Sequence, residues 1–144
     1  KSPILYYTVS KKWKGGAMIY LIQPLFYKSD LKKMIQEYLK RSYPNHYLTT
    51  SQHVNFPIPN HINRFFVIYD SRLEDWDGIQ QSKAIRSRPN GYLDHIILVS
   101  NQLNYAAFFR THLRFLGIIS SEELDKNEII QYIDDYISYP HKNR

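Results

Sequence analysis

Three short stretches carry apolar side chains at every position. They are Ala17 to Ile22 (AMIYLI), Arg64 to Tyr69 (RFFVIY, apolar after its first residue) and Ile96 to Val99 (IILV). Runs of this length, rich in β-branched and aromatic residues, suit strands buried on both faces of a parallel sheet. Ile4 to Val9 (ILYYTV) predicts a further strand at the start of the chain, and Tyr47 to Thr50 a short one. Between the strands the period changes to that of a helix. Leu31, Met34, Ile35, Tyr38 and Leu39 make one apolar stripe, with Ser29 as a cap, Asp30 at the start and Lys40-Arg41 at the end. A helix is expected near Ile79–Arg86, and another over Gln102–Leu116 with Gly117 as its cap. Ser120-x-x-Glu123 and Asp125-x-x-Glu128 offer two starts for a last helix, whose stripe of Ile129, Ile130, Ile133, Tyr136 and Ile137 runs until Pro140. Pro89-Asn90-Gly91 is a turn signal.

The order β, β, α, β, β, α, β, α, α predicts an α/β domain with a small, mainly parallel sheet covered on both faces. At 144 residues the whole chain, 1–144, is expected to form one domain. The chain opens on Lys1, as expected of a segment excised from a longer protein.

Composition narrows the chemistry. With 43% hydrophobic residues and only 5 Gly and 7 Pro, the chain can build a core, which excludes a disordered segment. It contains no Cys, so it has no disulfide framework, thiolate nucleophile or Cys-based zinc site. No apolar run approaches the ~18–20 residues of a membrane span, so no membrane partner is expected.

The formal charge of +6 is unevenly placed. Residues 1–72 carry 11 Lys/Arg against Asp30, Glu37 and Asp70, while residues 73–144 carry 8 against 10 acidic residues. A basic front half is one sign of a nucleic-acid surface, and complementary or simply solvated faces are the other reading.

Signatures of catalysis are missing. There is no GxGxxG, no GxxxxGK[ST], no HExxH and no GxSxG, and the six histidines lack metal-ligand spacing. Asp70, Glu74, Asp75 and Asp77 cluster after a strand, as in metal-dependent nucleases, but no second acidic strand end completes a two-metal site. The chain is therefore read as a binding module, not an enzyme, with no cofactor.

What remains are basic and aromatic positions in turns. Lys12, Trp13 and Lys14 place an indole among cations, and Lys83, Arg86 and Arg88 form a second basic stretch, with Arg110 and Arg114 nearby in sequence. Tyr27, Tyr43, Tyr47 and Trp76 fall near element ends. Together these ten residues, 12–14, 27, 43, 47, 76, 83, 86 and 88, are the candidate partner-binding set, since Trp, Tyr and Arg are favoured interface anchors.

Trp13 to Ile22 (WKGGAMIYLI), Leu31 to Leu39, Phe65 to Tyr69 and Ile97 to Leu103 (ILVSNQL) resemble successive elements of a BRCT domain. The resemblance spans roughly residues 13–118. Leu103 stands where that family's signature Trp belongs, and Tyr43-Pro44-Asn45 replaces its Gly-Gly. It implies a four-stranded, mainly parallel sheet flanked by helices, with an extra N-terminal strand and an extra C-terminal helical extension at about 119–139. It also implies a nuclear scaffold module of chromatin silencing, DNA repair or checkpoint type, binding an acidic or phosphorylated protein segment. Lys83 falls where that family holds phosphate. Gln23-Pro24 replaces its Ser/Thr-Gly pair, so peptide or domain binding without the full phosphoserine pocket is expected. Nucleic-acid binding by the basic front half is the alternative.

Overall fold

The computed structural model describes residues 18–24, 30–54, 64–70, 77–101 and 105–142. Within them five strands form one sheet: β1 (Met18–Ile22), β2 (Tyr47–Ser51), β3 (Phe65–Asp70), β4 (His95–Ser100) and β5 (Gly117–Ser120). Four helices accompany them: α1 (Asp30–Ser42), α2 (Gly78–Arg86), α3 (Tyr105–Arg110) and α4 (Lys126–Lys142), with a 3-10 turn at Gly91–Leu93. Every strand pair is parallel and the spatial order is β2-β1-β3-β4-β5. This is the doubly wound arrangement whose strand order reverses between β1 and β3.

The continuous apolar runs behave as parallel central strands should. Alternate side chains of one strand enter opposite cores. Ile19 and Leu21, Phe65, Val67 and Tyr69, then Ile97 and Val99, face α1 (Leu31, Ile35, Leu39) and α4 (Ile129, Ile133, Ile137). Tyr20 and Ile22, Phe66 and Ile68, then Ile96 and Leu98, face Ile85 of α2 and Phe108 of α3. Phe65 and Phe66 are both fully buried, one in each core. Burying a side chain of this size contributes on the order of 1.5–3 kcal/mol.

Three sequence expectations are corrected here. The sheet has five strands where the resemblance implied four. The fifth is Gly117–Ser120, which the helical spacing of Phe108, His112, Leu113 and Leu116 concealed. The helix stops at Arg110, and His112 and Arg114 take positive φ (58° and 55°), turning the chain into β5. Second, α4 begins at Lys126 on the later start, with Asp125 Oδ1 accepting from the Asn127 and Glu128 amides, and it runs through Pro140 to Lys142. Ser120 instead closes a turn, its Oγ accepting from the Glu122 and Glu123 amides. Third, α4 is one of the two helices covering the first core, where the resemblance made it an extra. The expected strand at Ile4–Val9 and the Ser29 cap lie outside the described residues.

Candidate functional site

A parallel sheet collects functional groups at the carboxyl ends of its strands, most often at the switch point. Here that rim carries Gln23 and Pro24 after β1, Asp70 at the end of β3, Ser100 at the end of β4 and Ser120 at the end of β5. Asp70 is opposite Ser100 in register, and Ser100 is opposite Ser120. Asp70 and Ser100 are fully buried.

Among the described residues, two groups hold the Asp70 carboxylate. The Gly78 amide at the start of α2 donates to Oδ1 (3.1 Å), and the Ser100 hydroxyl donates to Oδ2 (3.1 Å). The approach of α2 is close: a Cβ on Gly78 would stand 2.7 Å from the Asp70 Cβ. Asp77 caps the same helix, accepting from the Ile79 amide at 2.8 Å. Gln23 is also buried, and its amide donates to the Ser51 carbonyl.

The described residues of this rim do not suit a divalent cation. Hard cations want several carboxylate or carbonyl oxygens. The chain has no Asp or Glu before Asp30, so β1 and the segment after it offer no acid. No group of three His, Asp or Glu that could hold a metal exists among the described residues.

At the amino ends of the strands lies a different network. Arg64, just before β3, pairs with Asp94, just before β4; Nη2 stands 2.8 Å from Oδ2 and Nε 3.0 Å from both carboxylate oxygens. The Arg64 amide also donates to Asp94 Oδ1, and Nη2 to the Pro89 carbonyl. Both residues are buried, so each supplies the counter-charge the other needs. Arg86 donates to four carbonyls, those of Leu113, Gly91, Asp94 and Arg114, at 2.7–2.9 Å. It fastens the β4 and β5 entry turns to α2. Burial and then the nearby Arg114 charge push its pKa down.

Of the ten predicted partner-binding residues, the structure describes five: Tyr43, Tyr47, Lys83, Arg86 and Arg88. Lys12, Trp13, Lys14, Tyr27 and Trp76 lie outside the described residues. Arg86 is the bracket just described, and Arg88 donates to the Val54 carbonyl. Tyr43 donates its hydroxyl to Asp134 of α4 (2.8 Å), which Tyr38 also reaches, so it clamps α1 to α4. Burial, then that hydrogen bond, pushes the Tyr43 pKa up to about 12. Lys83 and Tyr47 are exposed, on α2 and on the edge strand β2.

The described cations of the basic front half do not all reach the surface. Lys32, Lys33 and Lys40 lie exposed on α1 together with Glu37, whereas Arg64 is buried against Asp94. Among the described residues, then, the nucleic-acid alternative finds no support.

Sequence reasoning overlooked the Asp70–Ser100 pair, although a signal existed. Two buried strands, FFVIYD and HIILVS, each close on a single polar residue. Parallel pairing in register then brings those residues side by side.

No family model matches the chain, and no curated protein matches it. Solved structures do. The non-phosphorylated receiver domain of HemR from Leptospira biflexa is 17% identical, with a TM-score of 0.61 over 85% of this chain and 94% of that one. The phosphorylated cyanobacterial phytochrome response regulator RcpA is also 17% identical, with a TM-score of 0.58 over 86% and 96%. The response regulator TrrA from Thermotoga maritima, in complex with Mg2+ and BeF, is 10% identical, with a TM-score of 0.57 over 83% and 98%. These likenesses establish the fold. They overturn the BRCT resemblance and with it the nuclear scaffold function, the silencing, repair and checkpoint roles and the nuclear location, all of which rested on that resemblance alone. The chain folds as a five-stranded, doubly wound α/β domain of the kind seen in response-regulator receivers.

Proposed function

We propose that this chain is a non-catalytic docking domain of a signalling type, built on the receiver fold and working without phosphoryl transfer at its carboxyl rim. One observation carries the reading: the rim's buried carboxylate, Asp70, is tied down by Gly78 and Ser100, and β1 supplies no acid beside it. A carboxylate nucleophile must be presented to its phosphodonor, and Mg2+-assisted transfer needs further oxygen ligands. Asp70 instead acts as a strut, joining β3 to α2 and to β4. Fold alone does not fix function, so the reading rests on this site and not on the names of the neighbours. A protein partner fits it, because a domain stripped of chemistry contributes through its surfaces.

The test is exposure of the whole chain to acetyl phosphate with Mg2+, followed by intact-mass measurement. No phosphoryl adduct is expected. An adduct that disappears in Asp70→Asn overturns the proposal and makes the chain a phosphoaccepting receiver.

A further inference from the structure

The helices give this molecule two poles. Each of α1, α2 and α3 links the carboxyl end of one strand to the amino end of the next parallel one, and α4 leaves the carboxyl end of β5. All four therefore start at the carboxyl rim. Asp30, Asp77, Asp125 and Glu128 stand at their starts, while Lys40, Arg41, Arg86 and Arg110 stand at their ends. Opposite charge at each helix end is explained by the helix dipole. Helix ends do not explain the rest of the amino rim below β4 and β5.

Arg114 lies in the turn before β5. It is exposed, and among the described residues its guanidinium reaches only the Tyr92 carbonyl, at 3.3 Å. Arg86 beside it is bonded to carbonyls, which satisfy its donors and leave its charge. Asp94, the carboxylate of this network, is already committed to Arg64. Asp134 is held in the opposite layer by Tyr38 and Tyr43. Among the described residues, two of the three large exposed hydrophobic side chains border the same turns: Tyr92 (62% exposed) and Leu116 (46%). The backbone between Arg110 and Leu116 also holds His112 and Arg114 at positive φ, an unfavourable conformation for residues with a Cβ. Uncompensated guanidinium charge flanked by an exposed ring and an exposed aliphatic chain is the composition of a docking surface.

We propose that the amino rim below β4 and β5 docks an acidic segment of a partner protein, holding its carboxylates with Arg110 and Arg114 and its apolar side chains with Tyr92 and Leu116. The proposal rests on the docking function argued above and names its surface and partner chemistry. Charge complementarity selects the occupant, since a basic segment would meet like charge and a purely apolar one would bury Arg114 unpaired.

The probe is a fluorescein-labelled peptide of Glu and Asp interspersed with Leu, titrated with the whole chain by fluorescence anisotropy. Binding that weakens steeply with added NaCl is expected. A chain carrying Arg110→Gln and Arg114→Asn should bind about tenfold more weakly or worse; Asn tolerates the positive φ at 114. Tyr92→Ala with Leu116→Ser should also weaken it, and Lys32→Gln with Lys33→Gln should not. Circular dichroism checks that each variant is folded. Equal loss in the Lys32/Lys33 variant, absence of binding at low salt, or duplex DNA of equal charge bound as tightly would each overturn the proposal. Salt-sensitive self-association of the chain, abolished by the Arg110/Arg114 substitutions, would overturn it in favour of a second copy, whose acidic carboxyl rim is then the occupant. Each of these results leaves the acetyl phosphate experiment unaffected, so the two readings fail separately.

Discussion

The Gly78 amide donates to Asp70 Oδ1 at 3.1 Å because nothing but hydrogen stands on its Cα; a Cβ there would meet the Asp70 Cβ at 2.7 Å. This contact fixes how closely α2 can approach the end of β3. Gly78→Ala should therefore cost about 1–3 kcal/mol, as an overpacked contact against backbone and a short side chain that cannot retreat. Ser100→Ala should cost a similar ~1–3 kcal/mol, since it removes a donor from a fully buried carboxylate. Urea denaturation of each variant measures both. A Gly78→Ala protein as stable as the parent would show that α2 is not held this tightly.

Across the sheet from that contact, Arg64 and Asp94 are buried together. Asp94→Ala leaves the guanidinium without its counter-charge and should destabilise by about 3–5 kcal/mol. Replacing both, with Arg64→Met and Asp94→Ala, should cost less than that single change. A double variant less stable than Asp94→Ala would argue that the pair stabilises the fold beyond compensating its own burial.

Alkaline pH should unfold the protein through its tyrosines. Burial pushes Tyr20 up to about 12, burial and then the Asp134 hydrogen bond push Tyr43 up to about 12, and burial raises Tyr136 as well. The folded chain keeps protons that the unfolded chain gives up near pH 10, so this stability is intact below ~10 and is lost as pH rises through the folded values. Denaturation midpoints should fall from about pH 10 upward. In Asp134→Asn, Tyr43 should ionise earlier, seen as tyrosinate absorbance that rises before unfolding.

His95 sets the opposite edge. It is half-buried between the Phe65 and Tyr136 rings, and burial, opposed by Asp94 and aided by Arg86, lowers its pKa. The unfolded chain then binds a proton more readily. Stability is present above the ordinary value of ~6.5 and falls as pH drops through the lowered one. His95→Gln should flatten the slope of unfolding free energy between about pH 7 and 5. An unchanged slope would assign that dependence to the carboxylates.

The sequence alone determined the layers of this protein. Continuous apolar runs suit central strands covered on both sides, which is why the runs within 17–22, 64–69 and 96–99 were legible, and the Leu31–Leu39 stripe gave its helix directly. Local pattern failed where it had two meanings. Phe108, His112, Leu113 and Leu116 keep helical spacing, yet two left-handed residues break the helix and free four residues to pair with β4; no periodicity records a φ angle. Tertiary structure alone decided the strand order, and with it the partnerships 30 residues apart that define both rims: Ser100 with Asp70, and Arg64 with Asp94. Arg86 illustrates the reason. In sequence it is one more cation in a basic stretch, and only the folding of two entry turns onto α2 gives it four carbonyls to hold. The uneven charge of the chain was visible from the start, but its sorting into an acidic and a basic pole required every helix to run against every strand.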